Sequence, residues 1–236
     1  LRANDPYAAV SSPSASRNQY WLYASAFPEA WEFVTTDGAV TVAVMDSAVY
    51  PEHEDLRANV LRGEAWDATA DGPMDFGAAN YTVNSGHGTS VAGVVAGVAN
   101  NGVGIAGASF NGRVLPVRVF NNEGQSSTKF IYQAFMHLMR EKVAGRLADL
   151  RVVNLSLGSD NGFAHDDSIL NTLYAKMEQA GILVVTAAGN SDTAATNNNY
   201  GGHILASNPE TSMVAAPSVY DSNLSVASFN NVVKSE

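Results

Sequence analysis

Four stretches of this chain share one design, a largely apolar run closed by a polar or turn-forming residue. They are Val40–Met45 before Asp46-Ser47, Val114–Phe120 before Asn121, Arg151–Leu157 before Gly158, and Ile182–Ala188 before Gly189-Asn190. Runs of this kind fit strands buried on both faces of a parallel sheet, because a half-exposed strand would alternate apolar and polar residues. Helical patterns lie between them. Ile131, Ala134, Phe135 and Leu138 follow the i, i+3, i+4, i+7 spacing of one helix face, with Ser126 or Ser127 as its cap. Leu170, Leu173, Tyr174 and Met177 mark a second amphipathic helix, stopping before Gly181, and a fifth strand is expected over Met213–Val219. The alternation predicts an α/β fold, a doubly wound parallel sheet with helices on both faces. In such sheets functional groups gather at the carboxyl ends of the strands. Asp46 is therefore well placed.

The 236 residues, 46% hydrophobic, fit one large domain or two small ones. Thirteen Lys and Arg against 23 Asp and Glu give a formal charge of −10, which repels nucleic acid and anionic lipid and leaves carboxylates for hard cations. No apolar run is long enough to span a membrane, and no basic start leads into an apolar signal core. Cysteine is absent, so disulfides do not hold this fold. Residues 1–28, with Pro6, Pro13 and Pro28, read as an arm on the domain surface, and Leu1–Pro6 as the exposed start of a mature chain. Residues 50–86 read as a long acidic connection.

The stretch Gly86-His87-Gly88-Thr89-Ser90-Val91-Ala92-Gly93-Val94-Val95-Ala96-Gly97 puts one histidine between two glycines, followed by small residues at helical density. The helix is expected to end near Ala99–Gly102. Small side chains suit a helix pressed against a sheet, and a histidine at its mouth can serve as a general base near neutral pH. A histidine at an ordinary helix start is the other reading of the motif alone. Asp46, His87 and Asn190 are expected on one rim of the sheet.

Taken in order, Val42–Ser47, Gly86–Gly93, Val153-Asn154-Leu155-Ser156-Leu157-Gly158 and Val184–Asn190 resemble the subtilisin-like serine proteases, thermitase-like in the N-terminal arm. The resemblance implies a protease fold and a set of roles. His87 would take the proton from a serine hydroxyl and later give it to the leaving amine, while Asp46 holds the ring. Asn190 would supply the side-chain donor of the oxyanion hole. Ser156-Leu157-Gly158 resembles the edge that pairs with extended substrate, Gly124–Ser127 (Gly124 and Ser126 above all) the facing rim, and Gly189 lies beside Asn190. The glycine usual after the Asp-Ser pair is Ala48 here.

The nucleophile of the family, in a Gly-Thr-Ser-Met-Ala segment opening a helix, does not occur in these residues. Thr211-Ser212-Met213 lacks the preceding glycine and runs towards Pro217, so Ser212 is rejected. Residues 1–236 are therefore expected to be the N-terminal and central part of a single catalytic domain, with the surface arm over 1–28 and the sheet core over 40–236. The serine is expected on a C-terminal fragment of the same precursor, separate after cleavage, so that this chain alone is inactive. A truncated fragment, or an inactive module that only grips peptides, is the alternative. The family further implies secretion to an extracellular or periplasmic space, autoprocessing of a zymogen, extended peptide or protein substrates, and a propeptide or inhibitor as partner.

Asn100-Asn101-Gly102-Val103-Gly104-Ile105 resembles the tight calcium loop of the same family. The resemblance implies Asp5, Asp55 and Asn101 as side-chain ligands, with the carbonyls of Ala99, Val103 and Ile105. Asp67, Asp71 and Asp75 stand where thermitase-like relatives carry a further calcium loop, and a solvated acidic loop explains them as well. Gly102–Gly107 spells a dinucleotide fingerprint but follows a helix and leads to a strand, the reverse of what that motif needs. Asp160 and Asp192 are weak candidates for a preference for basic substrate residues. His137 reads as helix packing, and His165 and His203 as loop residues.

Overall fold

The computed structural model describes residues 2–8, 19–36, 38–78, 86–157, 168–187 and 211–214, the last by backbone. It divides into two compact units, Leu1–Ala134 and Phe135–Glu236.

In the first unit, β1 (Thr41–Asp46) is buried along its whole length, as its apolar run predicts. It pairs in parallel with β4 (Arg113–Arg118), with Val44 opposite Pro116 and Asp46 opposite Arg118. Beyond β4 lie β2 (Trp66–Asp67), parallel to it, and β3 (Gly72–Pro73), antiparallel to β2. These two short strands fall inside the stretch expected as connection. Each is only two residues long, too short for any periodicity to show.

Pro116 sits inside β4 at no cost to the ladder. Val114 donates to Asn59 O and Val119 to Asp46 O, so alternation turns position 116 to the side of Asn59. There the neighbouring chain is out of the ladder between Leu61 and Trp66, and the missing N–H has no acceptor to serve.

Helix α3 (Gly86–Ala96) buries Ala92 and Ala96 in a core with Val44, Val49, Leu56, Val60 and Val114. It ends at Ala96, earlier than expected. A Cβ on Gly107 would lie 2.4 Å from the Gly97 nitrogen, so the chain leaves the helix where two backbones touch.

The arm is more deeply built in than its composition suggested. Helices α1 (Tyr20–Ala24) and α2 (Phe27–Ala30) lead to Trp31, which stacks edge-on to Phe110 at 5.0 Å. Leu22, Trp31, Ala3 and Ala8 form a small core with Ala106 and Phe110. Buried Gln19 imitates a strand neighbour, donating to Ala106 O at 2.7 Å and accepting from Ala106 N at 2.8 Å.

Helix α4 (Thr128–Val143) buries Ile131, Ala134, Phe135 and Leu138, the predicted face. Of the two candidate caps, Ser127 faces the helix, accepting from Phe130 N at 3.4 Å. Ser126 instead donates to Val119 O.

In the second unit, Phe135 meets Tyr174 of α5 (Ser168–Gln179) edge-on at 5.4 Å. Helix α5 ends on Gly181 at φ +72°, with Ile182 N bonded to Met177 O and Gly181 N to Glu178 O. Both bonds belong to a Schellman motif, and the left-handed residue is the one glycine serves best. Strand β5 (Leu150–Leu155) pairs in parallel with β6 (Leu183–Ala187), and β6 with β7 (Thr211–Val214). Ser156 and Leu157 lie just past β5 rather than within it, since the pairing with β6 closes at Leu155 opposite Thr186. The fifth strand starts at Thr211, two residues before its expected start at Met213. No described helix is long and apolar enough to cross a membrane.

Candidate active site

Asp46 is the last residue of β1 and only 1% exposed. A buried carboxylate needs hydrogen bonds or a counter-charge. Ser47 supplies two donors to Oδ1, its backbone N at 2.7 Å and its hydroxyl at 3.1 Å. His87, the second residue of α3, brings Nδ1 to 2.9 Å from Oδ1 and 3.0 Å from Oδ2. With Nδ1–H donating to the carboxylate, the neutral ring carries its lone pair on Nε2. The His87 side chain is 58% exposed, so one edge of the ring is anchored and the ring remains accessible.

The glycine after the histidine has a steric cause. A Cβ on Gly88 would lie 2.8 Å from Ala48 O and 2.9 Å from Ser47 Oγ. That closeness lets Gly88 N donate to Ser47 Oγ at 3.1 Å, tying the first turn of α3 to the end of β1 through the hydroxyl that also holds Asp46. Ala48, the departure from the family pattern, is buried and lends only its carbonyl to this contact.

Past β4 the chain forms a small rim. Asn121 Oδ1 accepts from Glu123 N at 3.1 Å and Gln125 N at 2.8 Å. Gly124 turns at φ +73°, and Phe120 bridges Ser126 in antiparallel fashion. Sequence reading missed Arg118, which is buried at the base of this rim and bonded to Asp67. A lone cation near the end of an apolar run was the available signal. At the end of β5, Asn154 Nδ2 donates to Ser156 Oγ at 2.9 Å. Gly158, Gly189 and Asn190 lie outside the described residues.

A second polar cluster lies at the loop after α3. Asp5, fully buried, accepts from Asn100 N at 2.8 Å and Asn101 N at 3.1 Å. Asp55, 3% exposed, accepts from Ile105 N and Asn101 Nδ2, both at 2.8 Å. Burial pushes the Asp55 carboxyl above its ordinary range and the charge of Asp5 adds to this, against hydrogen bonds from Ile105 and Asn101. Asn100, Gly102 and Gly104 all take positive φ, curling the backbone around the two carboxylates. Among the described residues no three His, Asp or Glu side chains gather as a metal-binding group. The donor set here is two carboxylates, one side-chain amide and backbone carbonyls, an all-oxygen set of the kind a hard cation takes. Asn101 turns its nitrogen to Asp55 and its oxygen to Val103 N, so as a ligand its amide would have to rotate. Asp67, by contrast, is engaged by Thr69 and Arg118, and Asp75 by Gly77 N.

Parallel strands with an imidazole anchored on a carboxylate at a strand end define an α/β protein with an Asp–His pair at the end of a central strand. The profile of the Subtilase family, peptidase S8, matches residues 37–236, and the chain belongs to that family. It is 31% identical over 194 residues to thermitase of Thermoactinomyces vulgaris, covering 82% of this chain and 60% of that protein. It is 32% identical over 223 residues to an extracellular protease of Xanthomonas campestris pv. campestris, covering 85% and 37% respectively. Among solved structures, proteases from Pseudoalteromonas arctica superpose with a TM-score of 0.71 at 28% identity, over 99% of this chain and 70% of theirs. The chain thus spans no more than 60% of the length of these two sequence relatives.

Proposed function

We propose that this domain belongs to a serine endopeptidase in which Asp46 and His87 are two members of the triad. The observation that carries the proposal is the double contact of His87 Nδ1 with buried Asp46, at 2.9 and 3.0 Å, on an otherwise accessible ring. Asp46 fixes the tautomer and favours the imidazolium that forms as His87 removes a proton at Nε2. The proton comes from a serine hydroxyl attacking the peptide carbonyl. It returns from Nε2 to the leaving amine, so His87 acts first as base and then as acid. Asn190 is the proposed oxyanion donor. Gly124, Ser126, Ser156, Leu157, Gly158 and Gly189 are the proposed substrate-binding residues, gripping extended peptide largely through main chain. Ser212 is not the nucleophile in this reading, since Thr211–Val214 is a strand rather than the start of a helix. The serine comes from outside these 236 residues. Whether it arrives on a separate C-terminal polypeptide is read by intact mass.

Calcium is the proposed cofactor, held by Asp5, Asp55, Asn101 and the carbonyls of Ala99, Val103 and Ile105. It would neutralise two buried carboxylates and hold residues 2–8 against the 97–107 loop. Its role is structural. Secretion and autoprocessing of a zymogen fit this reading, as does the extracellular relative.

Steady-state hydrolysis of an extended peptide anilide by the serine-bearing protein as isolated, in its wild-type, His87→Ala and Asp46→Asn forms, tests the proposal. Turnover by wild type that falls about 10⁴-fold or more in both variants is the expected result. Peptide binding without turnover in wild type would instead indicate a module that grips peptides and cuts none.

A further inference from the structure

Among the described residues Arg118 is the only buried arginine or lysine. It closes β4, and the register sets it directly opposite Asp46. A buried guanidinium brings five donors in one plane, and every nearby acceptor must fit that fork. Here Nε donates to Phe120 O at 2.8 Å, Nη2 to Asn122 Oδ1 at 2.6 Å, and Nη1 to Asp67 Oδ2 at 3.1 Å. Asp67 is itself fixed, its Oδ1 accepting from Thr69 N at 2.9 Å and Thr69 Oγ1 at 2.6 Å. One side chain thus links the end of a core strand, the first residues of the rim and the β2–β3 hairpin.

Stability alone is a poor explanation, because a buried ion pair is often no better than apolar residues of equal volume. What the fork supplies is direction. Asn121 braces the rim from inside through Glu123 and Gln125, while Arg118 holds its base at Phe120 and Asn122.

We propose that Arg118 is a positioning residue for extended substrate, in which its guanidinium, anchored on Asp67, fixes the Asn121–Ser126 rim as one wall of the peptide cleft. The inference rests on the endopeptidase reading and deepens it. Arg118 bonds Phe120, Asn122 and Asp67, so in this proposal it acts through the rim rather than on the reacting atoms. It therefore sets the preference for long over short substrates. A lysine keeps the charge but not the planar fork, and Asp67→Asn keeps the shape but not the anchor.

The test compares wild type, Arg118→Lys, Asp67→Asn and Asn122→Ala of the active protein as isolated. kcat/KM is measured on a tetrapeptide anilide and on a single-residue ester, alongside amide exchange over residues 119–127 and over 41–46. We expect Arg118→Lys and Asp67→Asn to lower the long-to-short ratio about fivefold to tenfold and to speed rim exchange by a similar factor, with β1 exchange unchanged. Asn122→Ala, which takes one acceptor from the guanidinium, should do the same to a lesser degree and stands in if the others do not fold. Equal losses on both substrates, or unaltered rim exchange, would overturn the proposal. If wild type cleaves neither substrate, the endopeptidase reading fails by itself. The rim is then judged by the affinity for an uncleavable tetrapeptide, expected to weaken in Arg118→Lys, with unchanged affinity counting against it.

Discussion

Asp46 and Asp55 are the same residue type in the same unit, each almost wholly buried and each accepting from a backbone N–H close by. Their neighbours differ. Asp46 faces an imidazole that can take up a positive charge and is largely exposed. Asp55 shares its loop with another carboxylate, Asp5, whose charge opposes its own. A buried carboxylate beside an exposed base stabilises a charge that comes and goes, which is what proton transfer requires. Two buried carboxylates within one curled loop call for a charge that stays, which is what a bound cation provides. The comparison separates chemistry from scaffolding by the partner rather than by the acid.

The comparison breaks most sharply at His87. His87→Ala should abolish turnover, about 10⁴-fold or more, and lower the thermal midpoint by only about 2–4 °C, since the ring is exposed and Asp46 keeps both Ser47 donors. Calorimetry beside kinetics checks both halves. The other acid should behave in the opposite sense. Chelation, or Asp55→Asn, is expected to lower the midpoint by about 5–10 °C, with far less effect on turnover measured before unfolding. A chelator that changes neither property would remove calcium from the account.

Gly88→Ala probes the joint between strand and helix. Its Cβ would meet Ala48 O at 2.8 Å, so backbone must shift, and a loss of about 1–3 kcal/mol is expected together with reduced kcat. Denaturant unfolding and kinetics on one preparation would show whether the two losses move together.

The smallest effect is expected in the second unit. Arg146 hydrogen-bonds Glu141 and holds its carboxyl down to about 2. A depressed acid contributes stability above its ordinary value of 4.5, lost as pH falls from there towards 2. Glu141→Gln should therefore match wild type at the acid extreme and fall slightly behind above pH 5, by no more than about 2 °C, because Arg146 is exposed.

How much of this could be read from the chain follows the same division. Periodic or motif-bearing residues were legible. The Ile131–Leu138 face is buried as its spacing requires, and Asp46 and His87 meet as the resemblance implied. Features made by one long-range contact were not. Gln19 buries itself by bonding Ala106, Arg118 by bonding Asp67, and neither pairing leaves a pattern in neighbouring residues. The early end of α3 has the same origin, since it depends on Gly97 meeting Gly107. The strands β2 and β3 were hidden by their length. Asn190, Gly189 and Gly158 stand as expectations of the resemblance.

The most direct measurement of the central claim is intact-mass analysis of wild type and His87→Ala after reaction with a fluorophosphonate. A nucleophile activated by the Asp46–His87 pair predicts one added probe mass on a serine outside these 236 residues in wild type, and a greatly slowed reaction in His87→Ala. Labelling that is absent from wild type, or undiminished by loss of His87, would contradict it.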